Sequence, residues 1–114
     1  MGPGELVVVS CRTPKEKFWG VLRVLDVAGV TMRGVPVEAF DDWMRQFLGE
    51  GSVLLGAVTV FLPAHRLERV ELDESSGGAE GFGDRFMRLT GRDPAEALNV
   101  PRGFQPSRRE SPEM

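Results

Sequence analysis

The sequence predicts a mainly β fold with added helices (α+β). We expect a small, strongly bent five-stranded barrel with one helix inserted between strands three and four and one or two C-terminal helices. Residues 58–72, VTVFLPAHRLERVEL, have the pattern of two strands joined by a tight corner at Pro63. Residues 6–35 supply three more strand-like runs, VVVSCR, FWGVLRVL and GVTMRGV. Five short strands interrupted by one helical segment favour a small barrel.

The first two strands are predicted at residues 6–12 and 18–25, with the Pro-bearing segment 13–17 between them. The second strand carries apolar side chains on both of its alternating faces, so we expect it to be covered on both sides. Gly20 and Gly34 lie inside strand patterns. Each is expected to mark a bulge, a sharp bend or the close approach of another element.

The inserted helix is predicted within residues 36–49, where five apolar side chains recur at helical spacing: Phe40, Trp43, Met44, Phe47 and Leu48. Gly49 or Gly51 can supply the left-handed residue that ends it. A helix of this length depends on packing its apolar stripe, with Trp43 and Phe47 as anchors.

Two further helices are predicted after a Gly- and Ser-rich loop at residues 74–79. Phe82, Phe86 and Leu89 recur at helical spacing before Thr90-Gly91. The next segment begins with Asp93 as the N-cap, followed by Pro94 at the first helical position and Glu96 in the first turn. We expect one domain over residues 5–100 and a disordered tail over residues 101–114, which are rich in Pro, Ser and charge.

The composition narrows the classes of function. The 114-residue chain has a formal net charge of -3, which argues against a surface built mainly to neutralise phosphates. Its one cysteine, Cys11, lies in an apolar strand and is expected to be a buried structural thiol in a reducing compartment. The N-terminal sequence has no signal-peptide pattern, and no apolar run approaches the length of a membrane span, so we expect a cytoplasmic protein.

Catalytic and cofactor motifs are absent from the sequence. It contains no phosphate-binding Gly-rich loop, and His65 is its only histidine, so we expect no cofactor and no histidine-rich metal site. His65 with Glu68 or Asp73 is the minimum for acid-base chemistry, which leaves a small hydrolase as one alternative. A single histidine at a strand corner is more often a turn residue, and we therefore predict that the protein is not an enzyme.

Arginines and aromatic side chains provide the candidate partner-binding residues. Arg66 and Arg69 lie in the densest basic grouping, with Trp19 predicted nearby. This grouping is either a solvated face with cross-strand ion pairs, a contact for an acidic protein partner or a nucleic-acid contact. A small barrel cannot bury all its aromatics, so some are expected at the surface as an apolar patch. The predicted partner-binding residues are Trp19, Phe61, His65, Arg66 and Arg69.

The strand pattern over residues 6–72, ending in the HRLERV run, resembles the small Sm-like barrels. That resemblance implies an RNA-binding oligomer, which is the alternative function. The segments CRTPKEKFWGVL, AGVTMRGV, FDDW and VFLPAHRLERVELDE resemble small proteins of Acidobacteria and deltaproteobacteria, including the RomX-type polarity proteins of gliding myxobacteria. This second resemblance implies a non-enzymatic regulator of cell polarity and motility. Such a regulator binds a small Ras-like GTPase of the MglA type and a polarity adaptor and promotes nucleotide exchange.

We predict that removal of residues 101–114 leaves the melting temperature nearly unchanged, because the tail has too little apolar surface to offset its ordering entropy. Thermal unfolding of the full chain and the truncated chain measures this. A large drop in melting temperature would instead show that Phe104 packs against the domain.

Overall fold

The computed structural model describes residues 1–50 and 55–99. It confirms a mainly β chain with a five-stranded antiparallel sheet in the order β4-β3-β2-β1-β5. The strands are β1 (Leu6–Cys11), β2 (Glu16–Asp26), β3 (Gly29–Pro36), β4 (Val58–Pro63) and β5 (Leu67–Leu72). All five lie where the sequence pattern predicts them. The predicted tail from residue 101 onward and Gly51 lie outside the described residues.

The helices also lie at their predicted positions. Residues 37–48 are helical throughout, with α1 (Phe40–Arg45) between two 3-10 turns, and Gly49 follows with φ 73. Gly49 therefore provides the predicted left-handed end. The other helices are α2 (Phe82–Thr90) and α3 (Pro94–Leu98), and the carboxylate of Asp93 accepts a hydrogen bond from the Glu96 amide at 3.0 Å. This bond is the predicted N-cap of α3.

The sheet curls because its two outer strands are consecutive in the chain. β4 and β5 lie at opposite edges of the sheet, yet only the 3-10 turn Ala64–Arg66 joins them. Pro63 and Leu67 are four steps apart along the chain, which extend about 14 Å at most, so the two edges must approach each other at this end. Two backbone bonds hold the turn in place, from the Ala64 amide to the Ala28 carbonyl at 2.9 Å and from the Arg12 amide to the Arg66 carbonyl at 2.8 Å.

Both faces of the sheet are covered by apolar side chains. One cluster lies on the concave side of the curl and consists of Val7, Val9, Cys11, Leu22, Val30, Met32 and Leu62. The other cluster lies between the opposite face and the helices, and it includes Trp19, Val21, Phe40, Trp43, Phe86 and Leu98. Because Trp19 and Val21 belong to one cluster and Leu22 to the other, the prediction that the second strand is covered on both sides along much of its length is confirmed, although its end from residue 23 to residue 26 is exposed.

The strand glycines mark a close approach between two strands. Gly20 and Gly34 lie directly opposite each other in the β2–β3 pair. A Cβ atom on Gly20 would overlap the Arg33 carbonyl oxygen, and one on Gly34 would overlap the Trp19 carbonyl oxygen. Any side chain at either position would therefore push β2 and β3 apart.

Asp73, just after β5, connects the sheet to α2. Its Oδ2 atom accepts hydrogen bonds from Trp19 Nε1 at 2.9 Å and from the Gly83 amide at 2.7 Å, while its Oδ1 atom accepts one from the Phe82 amide at 2.8 Å. These two amides begin α2, so an aspartate nine residues earlier provides the cap for that helix. The same carboxylate satisfies the buried indole N–H of Trp19.

Aromatic rings fill the space between the sheet and the helices. Trp43 stacks on Phe86 with ring centroids 5.0 Å apart and meets Phe47 and Trp19 edge-on at 5.1 and 5.5 Å. Trp43 is 2 % exposed. Trp43, like Phe40 of the same helix, therefore links α1 to both β2 and α2.

We expect Trp43→Ala to lower the free energy of unfolding by about 3–5 kcal/mol, because it removes a large buried aromatic and leaves a cavity. Chemical denaturation monitored by circular dichroism measures the change. Leu48→Ala, on the same helical segment but 37 % exposed, is the control and should have a much smaller effect. Equal effects of the two substitutions would contradict the assigned packing.

Candidate protein interface

One end of the sheet exposes a cluster of apolar side chains. We call it the apolar end and define it as residues 24–28 and 61–65. The first segment forms the tip of the β2–β3 hairpin, and the second contains the end of β4 and the turn that follows. The bond from the Ala64 amide to the Ala28 carbonyl joins the two segments, so they form one continuous surface.

The register of the strands arranges the apolar end. Val24 lies opposite Thr31, and Thr31 lies opposite Phe61, so these three side chains form a row across β2, β3 and β4 on one face. Val24 and Phe61 are 47 % and 55 % exposed, and Val27 at the hairpin tip is 98 % exposed. Neighbouring strands are about 4.8 Å apart, so the row spans about 10 Å.

Apart from the single histidine His65, the apolar end contains one acidic or basic side chain, that of Asp26. Its carboxylate accepts a hydrogen bond from the Ala28 amide at 2.9 Å and so stabilises the hairpin turn. Charged residues make up 27% of the whole chain. A cluster of exposed apolar residues with so few charges is typical of a surface that another protein covers.

Two of the predicted partner-binding residues belong to this surface and one lies far from solvent. Phe61 and His65 are exposed within the apolar end. Trp19 is fully buried, because the helices cover its face of β2 and its ring contacts Phe40 and Trp43. Trp19 therefore does not belong to an exposed contact surface, and the prediction that placed it there is corrected.

Arg66 holds the corner between β4 and β5 in place. Its Nη2 atom donates hydrogen bonds to Glu16 Oε2 at 2.7 Å and to the Pro14 carbonyl at 2.8 Å, and its Nε atom donates to the Arg12 carbonyl at 3.3 Å. Its side chain is 21 % exposed. Arg66 thus fixes the β1–β2 connection against the 3-10 turn.

Arg69 lies on β5 with its side chain 61 % exposed, and its Nε atom is 3.3 Å from Glu71 Oε1. In the sheet it lies opposite Ser10, which lies opposite Lys17 on the other side. Arg66 and Arg69 therefore each lie beside a carboxylate. Among the three interpretations of the basic grouping, this arrangement matches the ion-paired face.

Asp73, one of the two carboxylates named in the hydrolase alternative, has structural contacts. Both oxygens of Asp73 already accept hydrogen bonds, from the core and from the start of α2. Within residues 1–50 and 55–99, no three His, Cys, Asp or Glu side chains come together as metal ligands would.

Cys11 lies on the concave side of the sheet and is 1 % exposed. Burial raises the pKa of the Cys11 thiol above its usual value and is the largest effect on it. The positive charge of the nearby Arg66 lowers the pKa but does not offset the effect of burial. A raised pKa disfavours the thiolate, so this residue packs as a small apolar side chain, as the sequence predicts.

The sequence analysis missed the hairpin tip. Val24, Leu25 and Val27 belong to a run that is apolar enough to be assigned to the core. The signal that could have revealed this exposure is the short connection between β2 and β3, because only residues 27 and 28 separate the two strands. Side chains in a two-residue connection point away from the sheet, so an apolar residue there is exposed.

Comparison of the chain with protein-family models, curated proteins and solved structures found no match. None of the helices within the described residues has both the length and the apolar character needed to cross a membrane. The candidate interface therefore stands on the geometry of this chain alone.

We expect Arg66→Ala to lower the free energy of unfolding by roughly 1–3 kcal/mol, since it removes hydrogen bonds from a charged donor, of which the one to Glu16 is partly buried. Arg69→Ala is the matched control and should change it by less than about 0.5 kcal/mol, because its ion pair is exposed. Urea denaturation of both variants tests the difference. If Arg66→Ala left the free energy of unfolding unchanged, this would contradict the role assigned to Arg66 in holding the corner.

Proposed function

We propose that this protein is a non-enzymatic protein-interaction module and that the apolar end is its contact surface. The observation that carries the proposal is the exposed row of Val24 and Phe61 beside the fully exposed Val27. Burying apolar surface contributes about 25 cal/mol per Å², so covering these side chains favours association. The lack of charge around them lowers the desolvation cost for an apolar partner surface.

The size of the apolar end fits a transient complex. It comprises ten residues, whereas a standard interface contributes roughly 20–30 residues from each partner. A regulator that must bind and release its partner needs an interface of this smaller kind. The few large side chains, Phe61 above all, would carry most of the binding energy.

The proposed partner is a small Ras-like GTPase of the MglA type, acting together with a polarity adaptor. This assignment is supported by the resemblance of residues 11–74 to RomX-type polarity proteins. Nucleotide exchange follows if the apolar end binds the nucleotide-free conformation of the GTPase more tightly than the nucleotide-bound one, because a ligand shifts an equilibrium only by its differential affinity. The protein would need no catalytic group of its own.

We further propose that the curled sheet is a small barrel of the Sm/SH3-like type. Two features support this: the strand order β4-β3-β2-β1-β5 and the three-residue turn that brings the two outer strands together. A barrel would hold the hairpin tip and the β4–β5 corner at one rigid end. That rigidity would lower the entropy cost of binding.

We expect Val24→Asp to weaken binding to the Ras-like GTPase at least tenfold and to abolish stimulated nucleotide release. The control is Met87→Asp on α2, because Met87 is 48 % exposed and Val24 is 47 % exposed, but Met87 lies outside the apolar end. The experiment mixes each purified variant with a GTPase from the same cell, loaded with a fluorescent guanine nucleotide. Binding and nucleotide release are followed with and without the adaptor.

Three outcomes count against the proposal. Equal binding by both variants would exclude the apolar end as the contact surface. No acceleration of nucleotide release by the parent protein, with or without the adaptor, would exclude exchange activity. Tight binding to uridine-rich or adenine-rich RNA that weakens steeply with salt would favour the Sm-like alternative.

A further inference from the structure

The two outer strands of the sheet differ in how they are protected against pairing with another chain. An outer strand presents unpaired N–H and C=O groups, and proteins commonly block such edges with charged side chains. β5 carries Glu68, Arg69 and Glu71 among its six residues. β4 has the sequence VTVFLP and carries no charge. Within the described residues β4 is hydrogen-bonded to β3 only, and it approaches β5 at the Ala64–Arg66 turn without pairing with it, so the rest of its outer edge is open.

We propose that the open edge of β4 pairs with the same edge of a second copy of this chain. The two β4 strands would run antiparallel about a two-fold axis and join two five-stranded sheets into one. This inference goes beyond the proposed function, because it concerns contact between identical chains and does not depend on the GTPase.

The absence of charge on β4 removes one obstacle to pairing with a second copy at this edge. The chain carries a net charge of -3, so two copies repel each other at long range. A two-fold contact also places the same surface opposite itself, so any charged residue near the axis faces its own like charge. The edge of β4 avoids this repulsion, because none of its residues is charged. At β5, by contrast, a pair centred on Glu68 or on Glu71 would place that carboxylate opposite its own copy.

The side chains select the register of the pair. A two-fold axis perpendicular to the joined sheet leaves each side chain on the same face in both copies. Residues opposite each other in an antiparallel pair must also share a face. The axis therefore passes beside one residue, which lies opposite its own copy. Centring on Val60 places Phe61 opposite the partner's Thr59 and Val58 opposite the partner's Leu62. Aromatic and β-branched side chains form favourable cross-strand pairs. Centring on Phe61 would bring Pro63 into the ladder, where it has no N–H to donate.

The interface is expected to be weak, because one six-residue strand contributes much less than the roughly 800 Å² per partner of a standard interface. We therefore expect monomers at low micromolar concentration and dimers at high concentration. Phe61 belongs both to this contact and to the apolar end, so self-association and partner binding would compete at that residue.

Analytical ultracentrifugation over a hundredfold range of protein concentration tests the proposal, with Val58→Lys as the disrupting variant. Leu72→Lys is its matched control, because Val58 and Leu72 are each 38 % exposed and lie at the end of an outer strand. The parent and Leu72→Lys should form dimers as the concentration rises, while Val58→Lys should stay monomeric. Equal melting temperatures of the two variants would show that both retain the fold.

A disulfide crosslink tests the register separately. Val60→Cys places two thiols directly opposite each other, at the Cα separation of about 4.5–5.5 Å that a disulfide requires. Thr59→Cys is the control, because in this register its two copies lie about 8 Å apart. Under mild oxidation Val60→Cys should form covalent dimers and Thr59→Cys should not. The parent chain controls for Cys11, its only cysteine, which is buried.

Several results would overturn the inference. A chain that is monomeric at every concentration has no such contact. Dimers that persist in Val58→Lys, or that dissociate equally in Leu72→Lys, use another surface. A ladder of larger oligomers would mean that β4 of one copy pairs head-to-tail with β5 of the next. None of these measurements contains the GTPase. A result that excludes the dimer would therefore not affect the proposed function, which has a separate test.

Discussion

Burial of both faces of β2 is the constraint on which the rest of the structure depends. Trp19 and Val21 pack against the helices, while Leu22 packs inside the curl of the sheet. The indole N–H of Trp19 cannot be left without an acceptor at this depth, and Asp73 supplies one at 2.9 Å. Because the same carboxylate caps α2, one residue satisfies the core and fixes the helix that covers it.

Several charged residues of this chain stabilise its own structure. Arg66 ties the β1–β2 connection to the corner after β4, and Arg85 pairs with Asp41 between α2 and α1. Side chains already engaged in this way are poor anchors for a partner, because binding would have to break their existing bonds. The apolar end is different, because its exposed side chains gain contacts on binding and lose few.

Phe61 connects the two proposals. It lies in the exposed row that we assign to a protein partner and also on the open strand that we assign to a second copy. One side chain cannot be covered by both at once. Self-association would therefore reduce the amount of chain available to the partner, and partner binding would favour the monomer by mass action.

The sequence by itself determined the elements of this fold. Strand alternation, helical spacing of aromatics, Gly49 and the Asp93 cap are local signals, and each was located correctly because it acts between residues close together in the chain. The apolar surplus was also evident, and Phe61, one of the predicted partner-binding residues, is exposed. The tertiary structure alone decided which aromatics are buried, that Asp73 serves Trp19, and that Val24 and Phe61 share a row. These depend on strand register and on which face the helices cover, and both are set by contacts between residues far apart in sequence.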